Sequence, residues 1–532
     1  MDGLMQDVAL TVELIVRRAE TVGAEVEVVS VEPSGVHRTT WGEVAGRARR
    51  LRRVLDDLGV SRDGRVGTFA WNTRRHLELY LGVPTAGRVL HTANVRLSGE
   101  DVVYVIGHAE DEVLFVDASL TAELATVRDE LTVAHVVVME DGGAIDPAFD
   151  DCPRYETLLD AAEPMPGIDV AETDAASVCF TSGTTGRPKA VVYSHRSIVL
   201  HSYGSLGSDS HAISRRDVLL PLTPMFHVNC WGLPYTAAFA GTKLVLPGRD
   251  TSAESTAALV ESERVTVAAG VPTLWIRFLD EPAAGTRDLS SFQRVLSGGA
   301  ESPAPLVARY LDRGISYFHG WGSTEMSPSG TATVVRPGHN DERWGPPVPG
   351  VELRLRADDG LLAAWDSVSQ GEVEARGPWV TSGYYRPEDD ANHTRFTDDG
   401  WFRTGDVARI DTRGALTIVD RTKDLIKSGG EWISSLELER AILEHPDVLE
   451  AAVIAIAHPE WGERPAAIIV AAGDASPNAD EMKAFLRDRV ASWWIPDVVE
   501  VVDELPRTGV GKHDKRRLRA LYGAQLGPLR GS

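Results

Sequence analysis

The chain has 532 residues, 43% hydrophobic and 25% charged, with a formal net charge of −24. That length suits roughly three or four compact units, and the acidic balance excludes a general nucleic-acid binder while leaving room for a local basic pocket. The three cysteines, Cys152, Cys179 and Cys230, are far apart and form no CxxC pair, so neither a disulfide framework nor a zinc site is implied and a reducing cytoplasm fits.

The opening "MDGLMQDVALTVELIVRRAE" carries acids early and has no uninterrupted apolar core, so it does not read as a secretory signal. "TWGEVAGRARRLRRVLDDLGV" (40–60) spaces its Leu and Val as a helix does, with Gly59 as the break. "VLFVD" and "AHVVVM" follow as short apolar strands. From 218 to 325 strands and helices alternate. "DVLLPL", "KLVLP", "VTVAAGV", "RVLSGG" and "ISYFHGWG" are predicted strands; "SAESTAALVESE", "PTLWIRFLDE" and "APLVARYLDRG" are predicted helices, the first capped by Ser252. This alternation predicts an α/β fold of doubly wound parallel sheets, whose ligands gather at the loops after the strands. The glycine pairs 183/186, 298/299 and 320/322 stand in those loops.

The segment 345–419 is richer in Gly, Pro and short β-type runs, which predicts a small barrel-like insert. After "LTIVDRTKDLIKSGG", the pattern becomes helix (434–447), two strands (450–457 and 465–472) and one long helix (479–494), a compact α+β unit of about 110 residues. The expected division is therefore 1–419, a connector at 420–424, and a C-terminal domain at 425–532. The runs "AAVIAIA" and "AAIIVAA" are far below the ~20 residues of a membrane-spanning helix.

The densest signal is "CFTSGTTGRPKAVVYSHRS" (179–197). Between its two apolar β-type runs stand two glycines, three threonines and a serine, with Lys189 close behind, a set that suits a crowded anion such as phosphate. It is not a Walker loop, because Pro188 blocks a helix running through the lysine. "GVGKH" near the end also fails, since Pro506 replaces the first glycine and His513 follows the lysine.

The order S-G-T-T-G-x-P-K resembles the phosphate loop of the adenylate-forming enzymes, the superfamily of acyl-CoA synthetases, adenylation domains and luciferases. "VLHTANVRLSGEDVVYVIGHAEDEVLFVD" (89–117), "PMFHVNCWGLPY" (224–235), "GWGSTEMSP" (320–328), "WFRTGDV" (401–407), "VDRTKDLIKSGGEWIS" (419–434) and "LPRTGVGK" (505–512) match its signatures in order, over essentially the whole chain. "FHVNCW" and "KSGGEWISS" look most like the medium- and long-chain fatty-acyl-CoA synthetases.

The resemblance implies that a carboxylic acid and ATP form an acyl-adenylate, whose acyl group passes to CoA. It implies that Ser182, Gly183, Thr184, Thr185 and Gly186 hold the β- and γ-phosphates, with Lys189 supporting the loop. Thr324 would reach the α-phosphate, and Glu325 with Thr184 would hold Mg²⁺. Trp321 and the backbone of Gly299, Ala300 and Glu301 would flank adenine; Asp406, reinforced by Arg421, would accept from the ribose hydroxyls. Lys512 would be the cation of the first step. The small domain would then rotate about Asp420–Asp424, with Lys423 at the pivot, and present Lys427, Gly429, Gly430 and Trp432 to the pantetheine arm. His227, Val228, Trp231, Gly298, Gly322, Ser323 and Met326 would line the acyl pocket. The implied partners are a small carboxylic acid and CoA, with no nucleic acid and no membrane span; whether the chain forms a homodimer stays open.

Two residues depart from the resemblance. Ser323 stands where fatty-acyl relatives usually carry Leu or Met, which widens the expected pocket toward a bulky, apolar acid. Ala190 stands where the family usually has glycine. A need there for positive φ or for very close packing would cost ~1–2 kcal/mol, shift Lys189 or the phosphate loop, and favour a ligase specialised for thioesterification of a preformed adenylate. Transfer to a carrier protein or an amine is the other alternative.

Overall fold

The computed structural model describes residues 3–181, 187–336, 345–429, 431–473, 475, 477–507 and 513–523. Two compact units pack separately. The first comprises the chain up to Thr181 with Pro188–Glu352 and Arg376–Phe402; the second comprises Leu353–Ala375 and the chain from Arg403 onward. Packing thus groups part of the Gly/Pro-rich insert with the C-terminal unit.

The first unit is built on two sheets. One has six strands in the order His135–Met139, Asp111–Asp117, Arg65–Phe69, Val89–Thr92, Ala175–Phe180 and Ala190–Ser194; all neighbours are parallel except the last pair. The other has eight: Ser329–Val335, Ser316–Gly322, Arg294–Gly298, Val267–Gly270, Val218–Pro221, Lys243–Leu246, Glu27–Glu32 and Gly35–Thr40. Its core is parallel and its two outer pairs are antiparallel. The doubly wound α/β reading is borne out, including Ser252, whose hydroxyl accepts from Ser255 N–H at 3.2 Å at the start of the helix Ala253–Glu263.

Helix Trp41–Asp57 forms because Thr40 and Glu43 make a reciprocal capping box and because Val44, Ala48, Leu51 and Leu55 recur on one buried stripe. Burying each large aliphatic side chain there contributes about 1.5–3 kcal/mol before entropy is subtracted. Beneath the eight-stranded sheet Trp275, Phe278, Phe292, Tyr310 and Tyr317 form one apolar cluster with Val295 and Leu306.

In the second unit the insert is a four-stranded sheet in chain order, Glu352–Arg356, Gln370–Arg376, Phe402–Ile410 and Leu416–Arg421. Among the described residues this order is open rather than closed into a barrel. A five-stranded sheet follows, centred on Val448–His458 and Gly462–Ala471, with Val498–Val501 parallel to the latter. The expected long helix at 479–494 is shorter. It stops at Leu486, and Ser492–Trp494 form a separate 3₁₀ turn. Beyond the break, the Arg464 guanidinium donates to the carbonyls of Trp493 and Ile495 at 2.5 and 3.0 Å and so holds the 3₁₀ segment. No helix of the described residues is long and apolar enough to cross a membrane.

Candidate active site

In the first unit the candidate residues collect at the C-terminal ends of parallel strands, as sheet topology leads one to expect. Ser182–Gly186, Gly430 and Lys512 lie outside the described residues. The neck of the phosphate loop is described. Thr181 N–H donates to Lys189 O at 2.9 Å, and Lys189 N–H donates to Thr181 Oγ1 at 3.0 Å. The Lys189 ammonium sits 3.1 Å from Asp389 Oδ2, and this bond holds the Asp389 carboxyl below its ordinary range.

Ala190 opens the antiparallel strand Ala190–Ser194, paired with Phe180, and is absent from the residues of positive φ. Its methyl is fully buried with Val89 and Val178, packed by Phe180 and Tyr385. The premise that this position needs positive φ is therefore wrong. Extended backbone accepts alanine freely, so the positive-φ ground for a thioesterification specialist is gone. Ala190→Gly is now expected to leave the adenylation rate unchanged and to destabilise the fold by about 0.5–1 kcal/mol. Pyrophosphate exchange and thermal unfolding check this; a rise in exchange would restore the earlier premise.

Strand Ser316–Gly322 runs into the 3₁₀ turn Thr324–Met326. Thr324 is buried, and its carbonyl accepts from Tyr193 Oη at 2.6 Å. Glu325 Oε1 accepts from Tyr384 Oη at 2.6 Å. Burial, and then the Glu325 charge, push the Tyr384 phenol up, so it stays protonated and donates. Trp321 is buried, and a Cβ on Gly330 would come within 2.8 Å of its ring. Gly299 has φ +82, a conformation that favours glycine, and leads into Ala300 and Glu301.

His227 precedes a feature that no local sequence signal announces. Val228, Asn229, Cys230, Trp231 and Gly232 have φ of 41, 39, 55, 55 and 67, a turn of left-handed helix. Each non-glycine residue there costs about 1–2 kcal/mol against its right-handed form, so tertiary contacts must hold the turn. Asn229 Nδ2 donates to Ser177 Oγ, and Cys230 Sγ–H donates to Thr223 O at 3.1 Å. Gly232 is needed twice over, because of its φ and because a Cβ would meet the buried His201 ring at 2.6 Å. Burial lowers His201 to about 4, so it packs as neutral imidazole, bonded to Ser329 Oγ at 3.1 Å. The result places Trp231 against Gly298, where a Cβ would meet the indole at 3.4 Å. Backbone strain concentrated at one turn is a mark of functional sites. Met326 and Val228 are buried in the same unit, and Ser323 Oγ is buried with no hydrogen-bond partner among the described residues.

The second unit carries the remaining candidates. Asp406 and Arg421 face each other across two antiparallel strands, Arg421 Nε 3.1 Å from Asp406 Oδ1. Lys427 and Trp432 are also cross-strand partners, the ammonium 4.4 Å from the indole centroid. Gly429 has φ +61, and a Cβ would lie 2.5 Å from the Trp461 ring, so the fold itself requires glycine there. Asp420 is buried and its carboxyl is pushed up by burial, while Lys423 is exposed. The basic run 515–519, which reads from sequence as solvated, divides. Arg516 and Arg517 are exposed, but Lys515 Nζ is 2.6 Å from Glu439 Oε1 and Arg519 pairs with Asp424.

Sequence reasoning missed Tyr193, Tyr384, Asp389 and Asn229. The stretch "SGYYRPEDD" (382–390) could have drawn notice only by its aromatic and acidic density. Among the described residues no three His, Cys, Asp or Glu converge on a metal-binding arrangement. A single anionic carboxylate such as Glu325 suits Mg²⁺, which is ordinarily held by one or two carboxylates together with substrate phosphates.

The Thr181–Lys189 neck and the Thr324–Glu325 turn, both bonded to the segment 381–389, stand at strand ends of the doubly wound sheets, where such folds hold ligands. Residues 16–385 match the AMP-binding enzyme family and residues 437–512 match the AMP-binding enzyme C-terminal domain; the chain belongs to this family and is an enzyme of its acyl-CoA ligase class. It is 43% identical to 3-methylmercaptopropionyl-CoA ligase of Ruegeria lacuscaerulensis, covering 98% of each chain. It is also 43% identical to long-chain-fatty-acid–CoA ligase of Thermus thermophilus, covering 97% of this chain and 96% of the other. Among solved structures, ATP-bound MatB from Rhodopseudomonas palustris superposes with a TM-score of 0.83 at 27% identity, covering 96% of this chain and 99% of that one.

Proposed function

We propose that the chain joins a bulky, apolar carboxylic acid to CoA through an acyl-adenylate. The observation that carries this is the meeting, in one unit, of the Thr181–Lys189 loop neck with the Thr324–Glu325 turn, both tied to the segment 381–389. The first step drives a carboxylate against an α-phosphate, so its barrier falls mainly through positioning and charge neutralisation. Lys189 steadies the phosphate loop of Ser182, Gly183, Thr184, Thr185 and Gly186, and Thr324 donates toward the α-phosphate. Glu325 and Thr184 would hold Mg²⁺, which supplies positive charge to the phosphates. Trp321, Gly299, Ala300 and Glu301 flank the adenine, and Asp406 with Arg421 takes the ribose hydroxyls. Lys512 supports the first half-reaction. Rotation about Asp420–Asp424 then brings Lys427, Gly429, Gly430 and Trp432 to guide the CoA thiol.

The acid is argued from the pocket, since the relatives are named for more than one acyl group. His227, Val228, Trp231, Gly298, Gly322 and Met326 form its wall, and Ser323 leaves space that Leu or Met would fill. Ser323→Met is expected to shift the ratio of kcat/KM for bulky over linear acids downward by several-fold to a hundred-fold, since one methylene in an apolar pocket is worth ~1–3 kcal/mol. A clear preference of the native protein for linear long-chain acids would overturn the width argument. The function itself is tested by mass-spectrometric product analysis with an acid panel, with ATP and CoA and with synthetic acyl-adenylates. Acyl-CoA and AMP are expected. Acyl products formed only on a carrier protein or an amine would displace the thiol-acceptor reading.

A further inference from the structure

Glu325 receives two hydrogen bonds from one stretch outside every motif: Tyr384 Oη donates to its Oε1 at 2.6 Å, and Thr381 N–H donates to its carbonyl at 2.8 Å. Tyr384 is itself clamped. Its N–H donates to Asn392 Oδ1 at 2.7 Å, and its carbonyl accepts from Asn392 Nδ2 at 3.1 Å. The next residue donates N–H to Ala190 O at 2.9 Å, and Asp389 in the same stretch holds Lys189. A glutamate side chain loses substantial rotamer freedom when ordered. A bond already made to one carboxylate oxygen meets that cost before any ligand arrives, which is how preorganisation raises affinity.

We propose that Tyr384 is a positioning residue for the divalent cation that accompanies ATP, acting through Glu325. The inference rests on the assignment of Glu325 to that cation. Tyr384 is buried and its ring packs edge-on to Phe396 at 5.9 Å between centroids, so Tyr384→Phe removes the hydroxyl and keeps the packing.

The test is Mn²⁺ binding to the full-length protein–ATP complex, followed by electron paramagnetic resonance, which needs no turnover. Tyr384→Phe is expected to weaken Mn²⁺ about ten- to a hundred-fold, the scale of a lost hydrogen bond to a charged group. Thioester formation from a supplied acyl-adenylate should be unchanged. In a Glu325→Gln background the same change should add no further loss, because the two act as one unit. Asn392→Ala, which loosens Tyr384 without touching Glu325, should shift Mn²⁺ binding in the same direction by less, and it carries the test should Tyr384→Phe fail to fold. If Glu325→Gln weakens Mn²⁺ and Tyr384→Phe does not, or if the two effects add, the inference is overturned alone. If Glu325→Gln leaves Mn²⁺ binding intact, the cation assignment falls and this inference with it.

Discussion

Lys512→Ala is expected to slow acid-plus-ATP turnover by roughly 10²-fold or more, the scale of removing one positioned charge donor. In the first half-reaction the carboxylate and the α-phosphate are both anionic, and a lysine held between them would offset their repulsion, with more effect where water is excluded than in bulk solvent. The second half-reaction starts from an acyl-adenylate, whose carboxyl group is joined to the phosphate as a mixed anhydride and carries no charge of its own. Its attack by a thiol makes no comparable demand on Lys512. Thioester formation from a synthetic adenylate should therefore stay within a few-fold of the native rate. Pyrophosphate exchange and single-turnover thioesterification, measured on the same preparation, decide the matter: equal damage to both would sink the assignment.

Gly322→Ala is expected to be the most disruptive single-methyl change in the first unit. A Cβ built there lies 1.5 Å from Pro328 O, 2.7 Å from Pro328 C and 3.2 Å from Gly330 N, all of them backbone atoms. No rotamer change relieves that overlap, so the strand must move. Gly322 is the last registered residue of its strand, opposite Ser329, and Ser323, Thr324 and Glu325 follow directly. Displacement there shifts the turn that Tyr193 and Tyr384 hold. A loss of more than about 3 kcal/mol of stability, in the tail of single-mutation effects, is expected together with loss of pyrophosphate exchange. Thermal unfolding and exchange assays check both, and a variant of unchanged Tm and full activity would contradict the steric argument. By contrast, a Cβ on Gly298 approaches Gly320 O at 3.0 Å, a contact that a few tenths of an ångström relieves.

The alternation of strands and helices over 218–322 was legible because periodicity, proline and capping act within a few residues of one another. Glycines at strand ends then marked where a ligand would sit. The roles of those residues were legible only through the ordered motifs. Packing is what the motifs leave out: the Trp321 ring is buried, and Gly330 lies so near it that a Cβ there would come within 2.8 Å. The run 515–519 shows it again: its charge density suggests solvation, yet Lys515 and Arg519 turn toward Glu439 and Asp424.

By itself, then, the sequence determined the α/β class, the Ser252 cap, the family and the order of its chemical groups, all of which depend on short-range patterning. Tertiary structure decided the rest. Ala190 proved to be an ordinary strand residue because Phe180 and Tyr385 flank it. Four L-residues adopt left-handed backbone at 228–231, where Ser177 and Thr223 hold the side chains of Asn229 and Cys230. Glu325 meets Tyr384 across 59 residues, and Arg519 meets Asp424 across 95. Local propensity extends over only a few residues, so contacts at such separations are set by which strands pair and which loops their ends bring together.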